Sequence, residues 1–188
     1  MTPATLTPAN ATTATAQAWA IDPSHSQVGF AVKHLMIANV KGRFPGVSGS
    51  VQIDSNGTPT QIDISIDAAS ITTGDQKRDA HLRSADFLHV EEHPVIRFNG
   101  QRVEGDIDSK FVMHGDLLIR GVTRPVTLYV INEGSAIDPW GNDRVGYSAT
   151  ATINRKDFGL EWNLALEAGG VLVGDDVRIT IETELVKS

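Results

Sequence analysis

Alternation between apolar and polar side chains dominates the sequence from Trp19 onward. In the clearest run, residues 61–67, three isoleucines alternate with four polar residues. A period of two places successive side chains on opposite faces of a strand, so this run predicts a strand with one buried face and one exposed face. The same pattern predicts further strands at residues 28–32, 47–53, 95–103, 111–119, 126–130, 145–153 and 177–181.

Turn-forming residues between these runs indicate that neighbouring strands are antiparallel. Asn56-Gly57 is a pair that type I′ hairpins favour. Segments rich in Gly, Pro, Asp and Asn separate later runs, at residues 104–109, 120–125 and 138–143. The sequence therefore predicts an all-β fold of about eight antiparallel strands, arranged as a barrel or as a two-sheet sandwich.

Two segments, residues 71–93 and 158–168, lack clean alternation. Residues 75–83 and 161–167 within them are compatible with short helical turns. Because these segments interrupt a series of strands, we expect them to form insertions at the rim of the fold.

The inward-facing positions favour a barrel over a sandwich. They carry aliphatic residues and small ones, among them Gly49, Gly115, Ala149 and Ala151, but few bulky aromatic residues. An eight-stranded barrel can be filled by its own side chains or can enclose one small ligand. Small inward residues favour an incompletely filled interior, and a simple filled core is the alternative.

The first 18 residues differ from the rest of the sequence. Residues 1–18 are rich in Thr and Ala, contain no charged side chain and show no apolar period. Such a segment cannot bury enough surface to offset its ordering entropy, so we predict a disordered tail before one domain at residues 19–188. Ala16-Gln17-Ala18 resembles a signal cleavage site, but no basic or apolar stretch precedes it. The sequence as written predicts a cytoplasmic protein, and a start further upstream would predict a periplasmic or secreted one.

Charge and cysteine content argue against several classes of function. The 188 residues include 16 Lys+Arg and 23 Asp+Glu, giving a net charge of −7. Nucleic-acid-binding proteins need a basic surface against the phosphates, so DNA and RNA are not expected partners. The sequence contains no cysteine, which excludes thiolate nucleophiles and cysteine-ligated metals. No apolar run reaches the ~18 residues that span a bilayer, so no transmembrane segment is predicted.

Three of the six histidines lie within residues 71–93. His89 and His93 have the i,i+4 spacing with which one helix face can ligate zinc. However, Val90 stands where a zincin has glutamate, and Pro94 disfavours a continuing helix. The primary prediction is therefore no metal site, and a metal-dependent hydrolase using His81, His89 and His93 is an alternative hypothesis.

Arg155 directly follows a predicted strand, where it would lie at the end of a barrel. Together with Arg78 and His81, it is a candidate for binding an anionic or polar head group at the mouth of an apolar cavity. The planar guanidinium of arginine suits this task because it can donate two hydrogen bonds to one phosphate or carboxylate. The alternative interpretation is a strand-terminating turn with a local ion pair.

A series of motifs across about residues 19–187 resembles one known family. The matching segments are WAIDPSHS at 19–26, FAVKHL at 30–35, VKGRF at 40–44, SITT at 70–73, RDAHLRS at 78–84, DF at 86–87, HP at 93–94, GDLLIRGVTRPV at 115–126 and NRKDFGL at 154–160. The number, order and spacing of these motifs make the sequence similar to the YceI-like family of lipocalin-type barrels.

The resemblance implies an eight-stranded antiparallel lipocalin-like β-barrel, whose apolar cavity binds a long isoprenoid lipid without catalysis. The implied ligand is a polyprenyl phosphate or pyrophosphate, or an isoprenoid quinone, and no other cofactor is expected. Transport or storage of the lipid, a role in stress response and a homodimer are further expectations. A plugged barrel that acts through its surface as an interaction module is the remaining hypothesis.

If the resemblance holds, the cavity contacts should come from inward-facing apolar side chains. The candidates are Val28, Phe30, Val32, Phe44, Ile64, Ile66, Phe98, Leu117, Ile119, Leu128, Tyr147, Ala149, Phe158, Ile179 and Ile181.

Overall fold

Antiparallel strands form a closed ring in the computed structural model, which describes residues 16–165 and 171–188. The strands of this part are β1 (Gln17–Ile21), β2 (Gln27–His34), β3 (Ala38–Phe44), β4 (Val47–Ile53), β5 (Pro59–Asp67), β6 (Val95–Gly105), β7 (Lys110–Ile119), β8 (Val122–Ile137), β9 (Asp143–Asn154) and β10 (Val173–Lys187). An α-helix, α1 (Gln76–Arg83), and single 3₁₀ turns at Pro23–His25, Ala68–Ser70 and Arg155–Phe158 lie between strands. Within the described residues, no helix combines the length and the apolar character needed to cross a membrane.

These strands occupy eight positions in the ring, because two positions each hold two consecutive strands. β10 pairs with β2 along its first part, where Ile179 lies opposite Phe30, and with β1 at its end, where Leu185 lies opposite Ile21. On their other side, β1 and β2 pair with β4 and β3. The strands from β4 to β10 follow in sequence order, and the β1–β10 pairing closes the ring. The predicted eight-stranded antiparallel barrel is confirmed.

The structure contains two strands, β1 and β3, that the alternation did not predict. In β3 the apolar face is interrupted by Gly42, which lies opposite Phe30 on β2. A Cβ atom on Gly42 would be 2.4 Å from Cζ of Phe30, so the phenyl ring occupies the space of the missing side chain. The inward face of β3 is thus completed by a residue of its neighbour, which no pattern within β3 could reveal.

The predicted segment boundaries and helical turns have mixed outcomes. The helical turn predicted at 75–83 is α1, where the Asp75 side chain accepts a hydrogen bond from the backbone N–H of Arg78 at 3.0 Å. The helical turn predicted at 161–167 is wrong for residues 161–165, which are not helical, and residues 166–170 lie outside the described residues. Residues 1–15 of the predicted tail also lie outside them, and the boundary predicted at residue 18 falls inside β1.

A glycine on β7 makes room for an aromatic ring of the core. A Cβ atom on Gly115 would lie 2.5 Å from Cζ of Phe98 and 2.4 Å from the carbonyl oxygen of Asn99. The space above Gly115 is therefore filled by the Phe98 ring. Gly115 makes room for this ring and does not itself create empty volume.

We expect Gly115→Ala to lower the free energy of unfolding by about 2 kcal/mol, because neither the ring nor the backbone carbonyl can move away without cost. Gly146→Ala on β9 is the matched control, since the nearest atom to its Cβ would be at 3.5 Å. Urea unfolding of both variants measures the difference. Equal stability of the two variants would contradict the packing role of Gly115.

An ionic cluster fastens the ends of several strands. The Arg144 guanidinium on β9 donates to carboxylate oxygens of Asp22, at 2.7 Å, and of Asp138, at 2.8 Å, and also to Glu184 on β10. The side chains of Asp22 and Asp138 are only 13% and 6% exposed. The cluster thus joins the end of β1, the turn after β8 and the strands β9 and β10.

Hydrogen bonds hold the pKa of both aspartates well below its usual range. For Asp22 the donors are Ser24 and His25, followed by the Arg144 guanidinium. For Asp138 the side chain of Asn142 contributes most, and Arg144 adds to its effect. Both groups consequently stabilise the folded state as carboxylates.

Because the folded pKa of these carboxylates is lower than their unfolded pKa of about 3.9, protonation opposes folding. We expect this contribution to be complete above about pH 5 and to be lost as the pH falls further. Asp138→Asn should lower stability at pH 7 and flatten the decline between pH 5 and pH 3, measured by thermal unfolding. Asp63→Asn, whose carboxylate lies 3.9 Å from Arg97 on the surface, is the control and should keep the wild-type profile. An unchanged profile for Asp138→Asn would contradict this assignment.

Candidate ligand-binding cavity

The ring of strands encloses an apolar cavity of about 270 Å³. Every strand contributes side chains to its wall. A buried water molecule needs only roughly 10–15 Å³ by the same measure, so this space is far larger than a packing defect. The side chains of the barrel therefore do not fill its interior, which counts against the hypothesis of a plugged barrel.

The segments between β5 and β6 contribute to the wall at one end of the barrel. Leu82 of α1 and Phe87 after it reach the cavity. Arg120, in the turn between β7 and β8, donates to the carbonyl oxygens of Ala85 and Gly159, each at 2.8 Å. These hydrogen bonds join three separate segments at this end and hold the rim in one arrangement.

All the residues predicted to contact a ligand through an apolar side chain lie on the cavity wall. The alternation predicted this placement because it separates inward from outward side chains. Contact of these residues with a ligand stays a prediction.

The cavity wall also contains apolar residues that were not among the candidates predicted from the sequence. Ile21 lines the wall from β1, which the alternation did not predict. Other missed residues lie on the same alternating faces: Val47, Val51, Ile53, Ile62, Ile96, Phe111, Met113, Val126, Val130, Ile153, Val173, Val177 and Leu185. Their alternation was a usable signal. Others, Ile71, Leu82, Phe87, Leu88 and Leu160, belong to segments without alternation, and only the fold brings them to the cavity.

Arg155, one of the three predicted mouth residues, has a wall position and a buried side chain that is 4% exposed. Its guanidinium donates from Nε to the carbonyl oxygen of Gly174 at 2.9 Å, and from Nη1 to those of Trp162, at 3.0 Å, and Leu160. Burial lowers the pKa of Arg155. The hydrogen bonds identify Arg155 as a clamp between the turn after β9 and the segment that leads into β10.

The other two predicted mouth residues lie on α1 and do not line the cavity. Arg78 donates from Nε to the Thr73 hydroxyl at 2.7 Å. Nε2 of His81 lies 2.8 Å from a carboxylate oxygen of Asp86, and its ring packs edge-on against Trp162. The structure therefore does not bring Arg78 and His81 to the wall beside Arg155, and a head-group contact of these residues stays a prediction.

The three histidines of the hydrolase hypothesis do not form one cluster. Ligand atoms of His89, Glu92 and His93 lie within 4.8 Å of one another, and His81 is not part of this group. None of these side chains lines the cavity.

Comparisons with known proteins show which family the chain belongs to. A family model described as YceI-like domain matches residues 19–185. The chain belongs to the YceI-like family. A UPF0312 protein of Staphylococcus aureus is 38% identical to this YceI-like chain over 165 residues, which cover 87% of the chain and 94% of the relative. A UPF0312 protein of Pseudomonas aeruginosa is 37% identical over 141 residues, covering 74% of the chain and 73% of the relative.

Solved structures share the barrel. The YCEI protein of Campylobacter jejuni superposes on this YceI-like chain with a TM-score of 0.68 at 30% identity, covering 83% of the chain and 90% of that protein. BcnA of Burkholderia cenocepacia gives a TM-score of 0.74 at 20% identity, with coverages of 87% and 98%. A polyisoprenoid binding domain from Saccharophagus degradans gives 0.66 at 16% identity, with coverages of 92% and 99%. At such identities the last two likenesses concern the fold alone.

For the YceI-like chain, Arg155→Met should lower the free energy of unfolding by at least about 2 kcal/mol, because buried carbonyl groups would lose their donors. Arg78→Met is the control, since its guanidinium is exposed, and it should change stability little. Thermal unfolding and lipid binding are measured on the same samples. Weakened lipid binding with an unchanged unfolding midpoint for Arg155→Met would contradict this structural role of Arg155 and favour a head-group contact.

Proposed function

We propose that this protein binds a long-chain isoprenoid lipid in its barrel and is not an enzyme. The proposed ligand is a polyprenyl phosphate or pyrophosphate, or an isoprenoid quinone. The observation that carries the proposal is the unfilled cavity, whose wall consists almost entirely of hydrocarbon side chains. The Saccharophagus degradans domain with the same fold, which is described as polyisoprenoid binding, supports this choice of ligand class.

Four polar side chains at the cavity wall are paired with one another. The hydroxyls of Ser26 and Thr183 lie 3.0 Å apart, and Nε2 of Gln27 donates to the Glu182 carboxylate at 2.9 Å. Burial raises the pKa of the Tyr147 phenol, which keeps this wall residue uncharged. Because these polar pairs already satisfy one another, the wall suits an apolar chain better than a polar substrate.

Transfer of hydrocarbon from water to this wall supplies the affinity. Each buried CH₂ group contributes about 0.8 kcal/mol, and the ordering of a flexible chain offsets part of the sum. Such contacts discriminate weakly between chains that differ by a methylene group. We therefore propose transport or storage of lipids with modest chain-length selectivity and without a cofactor. We also propose the homodimer that the family resemblance implies, and light scattering can test it.

Native mass spectrometry tests the ligand directly. Tag-free protein is purified without detergent from a host that makes isoprenoid quinones, and native and denaturing spectra are compared. We expect a stoichiometric non-covalent adduct whose extracted mass fits a polyprenyl chain. An unliganded mass that does not change after incubation with polyprenyl phosphate and quinone would contradict the proposal, as would an adduct with the mass of a fatty acid.

A cavity-filling substitution tests the place of binding. Ala149 is 7% exposed and lies on the wall, whereas the next residue on β9, Thr150, is exposed. Ala149→Leu adds three carbon atoms inside the barrel and should lower the fraction of lipid-bound protein, while Thr150→Leu on the outer face should leave it unchanged. Circular dichroism confirms that both variants fold. Full lipid occupancy of a folded Ala149→Leu variant would place the ligand elsewhere.

A further inference from the structure

We propose that the turn before β6 binds one Zn²⁺ ion through His89, Glu92 and His93. The site lies on residues that do not line the cavity. The proposal is therefore independent of the lipid that the barrel holds.

The distances between the three side chains suit a metal ion. Nδ1 of His89 lies 3.5 Å from Oε2 of Glu92, and the ligand atoms of all three residues lie within 4.8 Å of one another. Neighbouring ligand atoms in a tetrahedral zinc site are about 3.4 Å apart, given bonds of about 2.1 Å. The Glu92 side chain is 67% exposed, so it is free to close the remaining distance toward the ion.

The backbone brings the two imidazoles together within a single turn. The N–H groups of Glu92, at 3.1 Å, and His93, at 2.9 Å, both donate to the carbonyl oxygen of His89. His89 itself has a φ of 50°, in the left-handed region where His is more frequent than most non-glycine residues. One turn is sufficient for the i,i+4 pair, and it ends before Pro94. Pro94 disfavours a longer helix but is compatible with this turn.

A neighbouring turn fixes the second imidazole. The ring of His93 lies against Gly121, where an added Cβ atom would be 3.0 Å from Cε1 of His93. Gly121 has a φ of 74°, and the absence of its side chain leaves room for the ring. Among the described residues, the only ion-pair contact of the three side chains is the one between His89 and Glu92. Their nitrogen and oxygen atoms are therefore available to an ion.

A second cluster of similar composition differs because an arginine already neutralises its carboxylates. Asp22, His25 and Glu184 also lie within ligand distance of one another. There, however, the Arg144 guanidinium donates to both carboxylates and supplies the positive charge. No arginine or lysine pairs with Glu92 in the described part of the chain. The Asp22 cluster therefore serves as an internal control that zinc should not occupy.

The donor set selects the class of metal. Two imidazoles and one carboxylate suit Zn²⁺ and neighbouring transition metals, whereas Mg²⁺ prefers oxygen ligands. Three protein ligands leave one tetrahedral position for water. The bound ion would connect residues of the segment that follows Phe87 and Leu88, two residues of the cavity wall.

Isothermal titration with ZnCl₂ tests the site on tag-free full-length protein. We expect one Zn²⁺ per chain, no detectable binding of Mg²⁺, and affinities weakened by at least about tenfold in His89→Asn and in His93→Gln. Asparagine is chosen at position 89 because it tolerates a positive φ. His25→Gln is the matched control and should bind zinc like the wild type.

Co²⁺ provides a second readout that does not depend on stability. Its visible absorption bands should appear on binding to the wild type and His25→Gln, and should be weak or absent in His89→Asn and His93→Gln. Circular dichroism verifies that each variant is folded. The proposal is overturned if folded His89→Asn and His93→Gln bind zinc like the wild type, if His25→Gln alone loses binding, or if the wild type binds no zinc.

Discussion

The ring of strands closes through β10, and this closure organises both faces of the sheet. β10 spans Val173–Lys187 and is long enough to pair with β9 on one side and with both β2 and β1 on the other. A closed sheet leaves few unpaired edges and separates an inner from an outer face. Because every strand then contributes inward side chains, closure produces the apolar interior, and the packing of those side chains decides how much of it stays open.

Small residues in the wall act in two different ways. The ring of Phe30 fills the space beside Gly42, and the ring of Phe98 fills the space beside Gly115. These two glycines therefore add no open volume to the interior. Ala149, in contrast, borders the open space itself. The size of the cavity therefore depends on pairs of residues across strands, and the composition of one strand does not determine it.

The arginines show how a residue type can suggest one role while its surroundings favour another. Arg155 has the chemistry to bind a phosphate, and its position beside the cavity agrees with that hypothesis. Its Nε and Nη1 donors, however, are directed at the carbonyl oxygens of Leu160, Trp162 and Gly174, and Nη2 lies 3.4 Å from a carboxylate oxygen of Asp175. A guanidinium with these partners stabilises the turn after β9, which agrees with the alternative interpretation of a strand-terminating turn with a local ion pair.

The alternation along the chain was enough to predict eight of the ten strands and their inward faces, because a period of two is a local property, but it missed β1 and β3. The sequence also indicated a helical turn at residues 75–83, where the structure has α1 with Asp75 as its N-cap. That the interior is not filled emerged from the three-dimensional packing alone, since cavity volume depends on side chains from all around the ring. The meeting of His89 and His93 combines a local turn, closed by hydrogen bonds to the His89 carbonyl oxygen, with the distant Gly121, whose place beside the His93 ring depends on the fold.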